Sequence, residues 1–184
     1  SVASRGLGDV YKRQQNIQGV VHTELKNYKL AKNLFIKVVN LSPNYTDGHY
    51  NLANVYNKLD EKEKAIESYN KVIELDINYF KAHNNLGNIY RKKGLNKRAI
   101  ECYLSTLEIN SNYKVAYYNL AGVLQFYILD EENKNINKYL LHLLKEKIIV
   151  RPNSIAPNIL NGLFLNTDLK LSLIHISEPT RRYA

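Results

Sequence analysis

Apolar residues along the chain recur at spacings of three and four rather than two, the spacing of one face of a helix. Leu52, Ala53 and Tyr56 form one such stripe; Ala65, Ile66, Tyr69, Val72 and Ile73 form the next. The pattern predicts helices near 15–26, 28–41, 46–58, 62–75, 80–92, 96–109 and 114–128. A divergent helix near 134–149, ended by Arg151-Pro152, and a short one near 155–165 follow.

The stripes are copies of one another. The stretch from His49 aligns without a gap on the stretch from His83, so that each position i of the first matches position i+34. His49/His83, Asn51/Asn85, Leu52/Leu86, Asn54/Asn88, Tyr56/Tyr90, Ala65/Ala99, Ile66/Ile100 and Tyr69/Tyr103 match. Asn119, Leu120 and Ala121 open a third copy, and Ala31, Phe35, Val38, Leu41 and Pro43 belong to a partial earlier one. A helix pair of this length cannot bury its apolar stripe alone, so stacked pairs must supply the core. Small Ala65 and Ala99 are expected where neighbouring helices cross.

Leu86-Gly87, Tyr90, Ala99 and Tyr103, with Asp60 and Gly94 at the turn between helices, resemble the tetratricopeptide repeat family. His49 and His83 depart from the family's usual aromatic, and Ile77 and Ser111 replace the closing proline that Pro43 keeps. The resemblance implies an all-α fold, an α-solenoid of about three to four helix-turn-helix repeats over 15–129, with divergent helices over 130–170. It also implies that the first helix of each pair lines a concave groove.

Composition narrows the function. The chain has 184 residues, of which 45% are hydrophobic, enough for a core. No apolar run approaches the roughly eighteen residues of a membrane span, so no membrane role is expected. Met is absent, as expected of a fragment, and the single Cys102 rules out a disulfide framework. Cys102 has no fixed basic partner in the pattern and reads as an inert, reduced thiol. Formal charge is +9.

The two ends share an unusual relation. Residues 4–14 read SRGLGDVYKRQ and residues 171–181 read LSLIHISEPTR. One coding strand for the second, read as its reverse complement, translates to the whole of the first. The pair resembles a translated sequencing-library adapter, so 1–14 and 171–184 are set aside as adapter-like. Their five basic and two acidic residues, taken from the chain's 26 and 17, leave 21 against 15 over residues 15–170. Only Arg91, Arg98 and Arg151 in that stretch carry the bidentate fork that reads phosphate or guanine well. Nucleic acid is therefore a disfavoured partner.

Asn51, Asn85 and Asn119 hold one repeat position on first helices. In the O-linked N-acetylglucosamine transferase branch of the resembled family, asparagine here forms a ladder along the groove that binds peptide backbone. An amide donates and accepts, which suits the N–H and C=O of an extended chain of any sequence. Asn54 and Asn88 lie one turn on, on the same face; Asn57, Arg91 and Gln125 lie one turn beyond them, where they can set side-chain preference. Tyr50, Asn84 and Tyr118 are expected to border the groove. Tyr50 and Tyr118 also stand where the family's carboxylate clamp would want Lys, so the clamp is not carried over.

His49 and His83 occupy equivalent places on first helices separated by an intervening helix, too far apart for a shared metal with bonds of about 2.0 Å. A packing role is expected, with no metal and no cofactor. The glycosylation patterns at Asn40 and Asn44 are expected to be unused, since no signal peptide is visible. No phosphate loop, GxSxG or HExxH occurs. Glu67 and Lys71 are spaced for a helical ion pair. The expectation is a non-enzymatic cytoplasmic scaffold that holds an extended peptide segment of a protein partner. The alternative is the substrate-recruiting region of a larger enzyme, such as an O-linked N-acetylglucosamine transferase.

Overall fold

The computed structural model describes residues 2–125, with side chains from residue 10 onward, and Ile136, Lys138 and Tyr139. Among them are seven α-helices: α1 (Val2–Glu24), α2 (Tyr28–Leu41), α3 (Thr46–Lys58), α4 (Lys62–Leu75), α5 (Phe80–Lys92), α6 (Asn96–Ile109) and α7 (Lys114–Leu124). From α2 to α6 both ends of every helix fall where the apolar pattern predicts. The helices expected near 134–149 and 155–165 and the flank at 171–184 lie, those three residues apart, outside the described residues.

α1 starts earlier than expected. The helix runs unbroken from Val2 through the adapter-like segment. Once residues 15–24 are helical, each preceding residue adds a hydrogen bond without a new nucleation cost, and Lys12, Arg13 and Gln14 are good helix formers. The boundary proposed between 14 and 15 therefore leaves no mark on the backbone.

The turns repeat as faithfully as the stripes. Lys26, Asp60 and Gly94, each one repeat on from the last, are left-handed, with φ of 60°, 61° and 74°. The amide of the following residue reaches back to His22, Tyr56 and Tyr90 at 2.8, 2.9 and 2.9 Å. Each left-handed residue's own amide donates to the carbonyl of Thr23, Asn57 or Arg91. This is the Schellman closure of a helix end, which satisfies carbonyls left over by the last turn. Only Gly94 adopts it without Cβ strain.

The connections into α3, α5 and α7 are also alike. Asp76 and Asn110 accept the amides of Asn78 and Asn112 on their side chains, at 3.0 and 3.1 Å, as Asx turns do. The histidines find their place here. His49 Nε2 lies 2.8 Å from the Pro43 carbonyl and His83 Nε2 3.0 Å from that of Ile77. Each ring pins the connection that leads into its helix, a hydrogen-bonding role beyond the packing expected from sequence.

Contacts divide the chain into two compact units, Ser1–Ile89 and Tyr90–Ala184. In the first, α2 packs between α1 and α3, and α3 packs on α4. Ala31 and Phe35 of α2 form a buried cluster with Leu52 and Val55 of α3. Gly19 permits the approach on the other side: a Cβ there would lie 2.6 Å from the Phe35 ring. In the second unit, Tyr103, Leu107, Leu120, Leu124, Ile136 and Tyr139 share one core. Ala65 and Ala99 are both fully buried. The ion pair expected between Glu67 and Lys71 does not form; Lys71 turns to Glu74 at 2.8 Å.

Candidate functional site

The first unit holds Asn51 and Asn54 on α3 and Asn85 on α5, and it brings the last two into contact. Tyr69, fully buried on α4, donates its hydroxyl to Asn54 Oδ1 at 2.6 Å. Asn85 Nδ2 reaches the same Asn54 oxygen at 3.1 Å, the Tyr50 hydroxyl at 3.2 Å and the Tyr69 hydroxyl at 3.3 Å. Burial pushes the Tyr69 hydroxyl well above its ordinary value, so the phenol stays protonated and keeps donating. The Tyr50 ring stands edge-on to Tyr69 at 6.1 Å and tilted over Tyr79 at 4.9 Å. Tyr79 in turn donates to Asp47 at 2.9 Å.

Asn51 makes the same kind of bond one repeat earlier. Its Nδ2 donates to Asn16 Oδ1 of α1 at 3.1 Å. Asn51–Asn16 and Asn85–Tyr50 have the same sequence separation, so these two asparagines each tie their helix to the preceding first helix at one repeated level. The amide N–H groups of Asn51 and Asn85 are thus turned into the fold. Asn51 Oδ1 and Asn54 Nδ2, on half-buried residues one helical turn apart, are the polar atoms of this set left over for a ligand.

The remaining residues are placed less uniformly. Asn88 is half-buried at the end of the first unit. Asn119 is half-buried and Arg91 exposed, both in the second unit. Arg91 lies against Tyr103, whose hydroxyl burial pushes up to about 12. Of the expected border residues, Tyr50 is half-buried and Tyr118 exposed, but Asn84 is buried at 2% exposure, with its Nδ2 near Asn85 Oδ1 at 3.4 Å. The Cys102 thiol is half-buried and pushed up to about 12 by burial, with Glu101 adding to the shift. That matches the unreactive thiol expected.

Two signals went unread in the sequence. Tyr45, Tyr79 and Tyr113 recur once per repeat at the entry to α3, α5 and α7. Tyr45 receives Asn16 Nδ2 at 3.5 Å and lies beneath Lys12 at 5.4 Å, while Tyr79 braces Asp47 and Tyr50 at the equivalent level. The second signal is a paired change. Where the second helix carries Tyr69 or Tyr103, the first helix carries Asn54 or Asn88; where it carries Phe35, the equivalent first-helix position is Val20. A phenol needs an acceptor and a phenyl ring does not.

The helix pairs, their left-handed closures and the constant repeat register define an all-α repeat protein of the solenoid class. Tetratricopeptide repeat models match residues 15–45, 46–79 and 80–113, more than half of the chain. The chain belongs to the tetratricopeptide repeat family. No curated protein sequence matches it.

Several solved structures share the fold. The first tetratricopeptide domain of Spaghetti (RPAP3), bound to the HSP90 peptide SRMEEVD, superposes with a TM-score of 0.61 and 21% identity. That match covers 62% of this chain and 91% of that one. MamA superposes with a TM-score of 0.64 and 23% identity over 74% of this chain and 78% of its own. A mutant Thermobaculum terrenum O-GlcNAc transferase gives 0.64 at 16% identity over 76% of this chain, which spans 26% of that enzyme.

Proposed function

We propose that this chain is a protein-interaction scaffold whose first helices hold an extended peptide segment of a partner. The observation that carries the reading is the pair left over beside the Tyr69 network. Asn51 Oδ1 accepts and Asn54 Nδ2 donates, one turn apart, on side chains whose other polar atoms are fixed by the fold. An acceptor and a donor so held match the N–H and C=O of a peptide backbone and carry no preference for its side chains. Asn85 is held within the fold; Asn88 and Asn119 would each offer an amide in their own repeats, and Arg91 would favour an acidic side chain. The structural likeness to a domain that holds an HSP90 peptide supports a peptide ligand. The absence of Lys at Tyr50 and Tyr118 argues against a carboxylate clamp, so amidating the peptide's C-terminus should leave affinity unchanged.

The test is a peptide-library comparison of the chain with its Asn51→Ala, Asn119→Ala and combined Asn51→Ala, Asn85→Ala, Asn119→Ala forms. Each single change should weaken binding by about 0.5–1.5 kcal/mol, and the triple change much more, by similar factors for ligands of different sequence. Asn85 also supports the fold, so the triple form must first show a cooperative melt. Full affinity in a folded triple variant would refute the ladder. The second reading, a substrate-recruiting region of a larger transferase, is favoured by the likeness to O-GlcNAc transferase. A glycosyltransferase domain in the same uninterrupted reading frame of the source genome would decide for it.

A further inference from the structure

Five of the eight residues 91–98 are cationic: Arg91, Lys92, Lys93, Lys97 and Arg98, with no acid among them. Residues 15–170 hold 21 basic against 15 acidic residues, so this one segment carries five of that stretch's six net charges. It forms the turn from α5 to α6, and all five cations are exposed. The left-handed Gly94 reverses the chain between them, with the amides of Gly94 and Leu95 closed on Arg91 and Tyr90 at 3.0 and 2.9 Å. Arg98 lies back over the Tyr90 ring at 5.7 Å, and Arg91 lies against Tyr103. Lys92, Lys93 and Lys97 stand nearest the tip, around Leu95, which is 40% exposed. The next acid in sequence, Glu101, sits further into α6 and leaves the balance positive.

The fold does not ask for this charge. The equivalent turns at 23–30 and 57–64 have the same left-handed closure with net charges of +1 and 0. The start of α6 even runs against helix chemistry. Lys97 and Arg98 occupy a first turn without an acid, where the helix dipole disfavours cations, while α4 has Glu63 there. Leu95 holds the N-cap, the place of Asn27 and Glu61 in the earlier repeats, and has no polar group to cap with. Helix-start rules broken together at one exposed turn mark a place shaped by something other than the fold.

We propose that this turn seats the chain on an anionic lipid surface. Lys92, Lys93 and Lys97 meet the headgroups, Leu95 enters the acyl boundary between them, and the two arginines add to the attraction. An apolar side chain ringed by cations fits a bilayer, which presents anionic headgroups and hydrocarbon together. A phosphate backbone offers Leu95 nothing apolar, and an acidic segment of a protein asks for a groove rather than a turn tip. No described helix is long and apolar enough to cross a membrane, so the contact is superficial and reversible.

The full chain should float with vesicles of phosphatidylcholine containing about one third phosphatidylserine, and not with phosphatidylcholine alone. Raising the salt from about 0.1 to about 1 M cuts the screening length from ~10 to ~3 Å and should release it. Each lysine near such a surface is worth about fivefold in partitioning, so Lys92→Gln, Lys93→Gln and Lys97→Gln together should lower it about a hundredfold. Leu95→Asn, which installs the first repeat's residue, should lower it about fivefold without lowering the melting temperature. Equal flotation with neutral vesicles, or flotation that neither change weakens, would overturn the proposal. So would duplex DNA or polyglutamate held as tightly as the anionic vesicles and indifferent to Leu95→Asn, since the cations would then serve a nucleic acid or an acidic protein. If the triple form loses its cooperative melt, Lys92→Gln alone replaces it, with about a fivefold loss expected.

Discussion

Removing one oxygen atom tests the network at the centre of the first unit. Tyr69→Phe keeps the ring, its complete burial and its edge contact with Tyr50, so almost no apolar packing is lost. What goes is the 2.6 Å bond to Asn54 and the 3.3 Å contact from Asn85. Leaving a buried partner unpaired costs about 1–3 kcal/mol, against about 0.5–1.5 for a bond whose partners stay satisfied. Here Asn54 Oδ1 keeps Asn85 at 3.1 Å, and Asn85 keeps the Tyr50 hydroxyl at 3.2 Å. The lower range applies, and we expect a loss of about 1 kcal/mol. With a urea slope of about 1–3 kcal/mol/M, the midpoint should fall by about 0.3–1 M, measured by far-ultraviolet circular dichroism. The first repeat supplies the control, because it carries Phe35 with Val20 in these two places. Asn54→Val added to Tyr69→Phe should therefore cost less than the two single changes together, by about 1 kcal/mol of coupling. An unchanged midpoint in Tyr69→Phe, or strict additivity of the pair, would refute the reasoning.

Three further outcomes follow from the same geometry. Ala99→Leu places an isobutyl group at a fully buried crossing and should cost roughly 1–3 kcal/mol by overpacking; an unchanged denaturation midpoint would show that the repeat register is wrong. Gly94→Ala meets no neighbour within 4 Å but must hold φ at 74°, so strain alone should lower stability by about 1 kcal/mol, seen as a reduced melting temperature. Deleting residues 1–14 and 171–184 should shift the melting temperature by only a few degrees, because selection on a fold has no reason to produce the reverse-complement relation of the two segments; loss of cooperative unfolding would contradict it.

Much of this molecule can be read from one dimension. The constant repeat offset fixes the helix pairs, and the apolar spacing fixes both ends of five helices, because stacked copies must present the same stripe at the same register. Gly94 announces its left-handed turn. Lys26 and Asp60 do not, since their strain is carried by the Schellman hydrogen bonds on either side. The candidate site was legible as positions but not as chemistry. Sequence placed Asn51, Asn54 and Asn85 on first helices. Only the tertiary structure shows that two of them spend their N–H groups on Asn16, Tyr50 and Asn54. The spacing of residues along a helix says which face they share. It does not say which side chains of the next helix lie within about 3 Å of them, and that distance decides whether an amide holds the protein together or is left to hold something else.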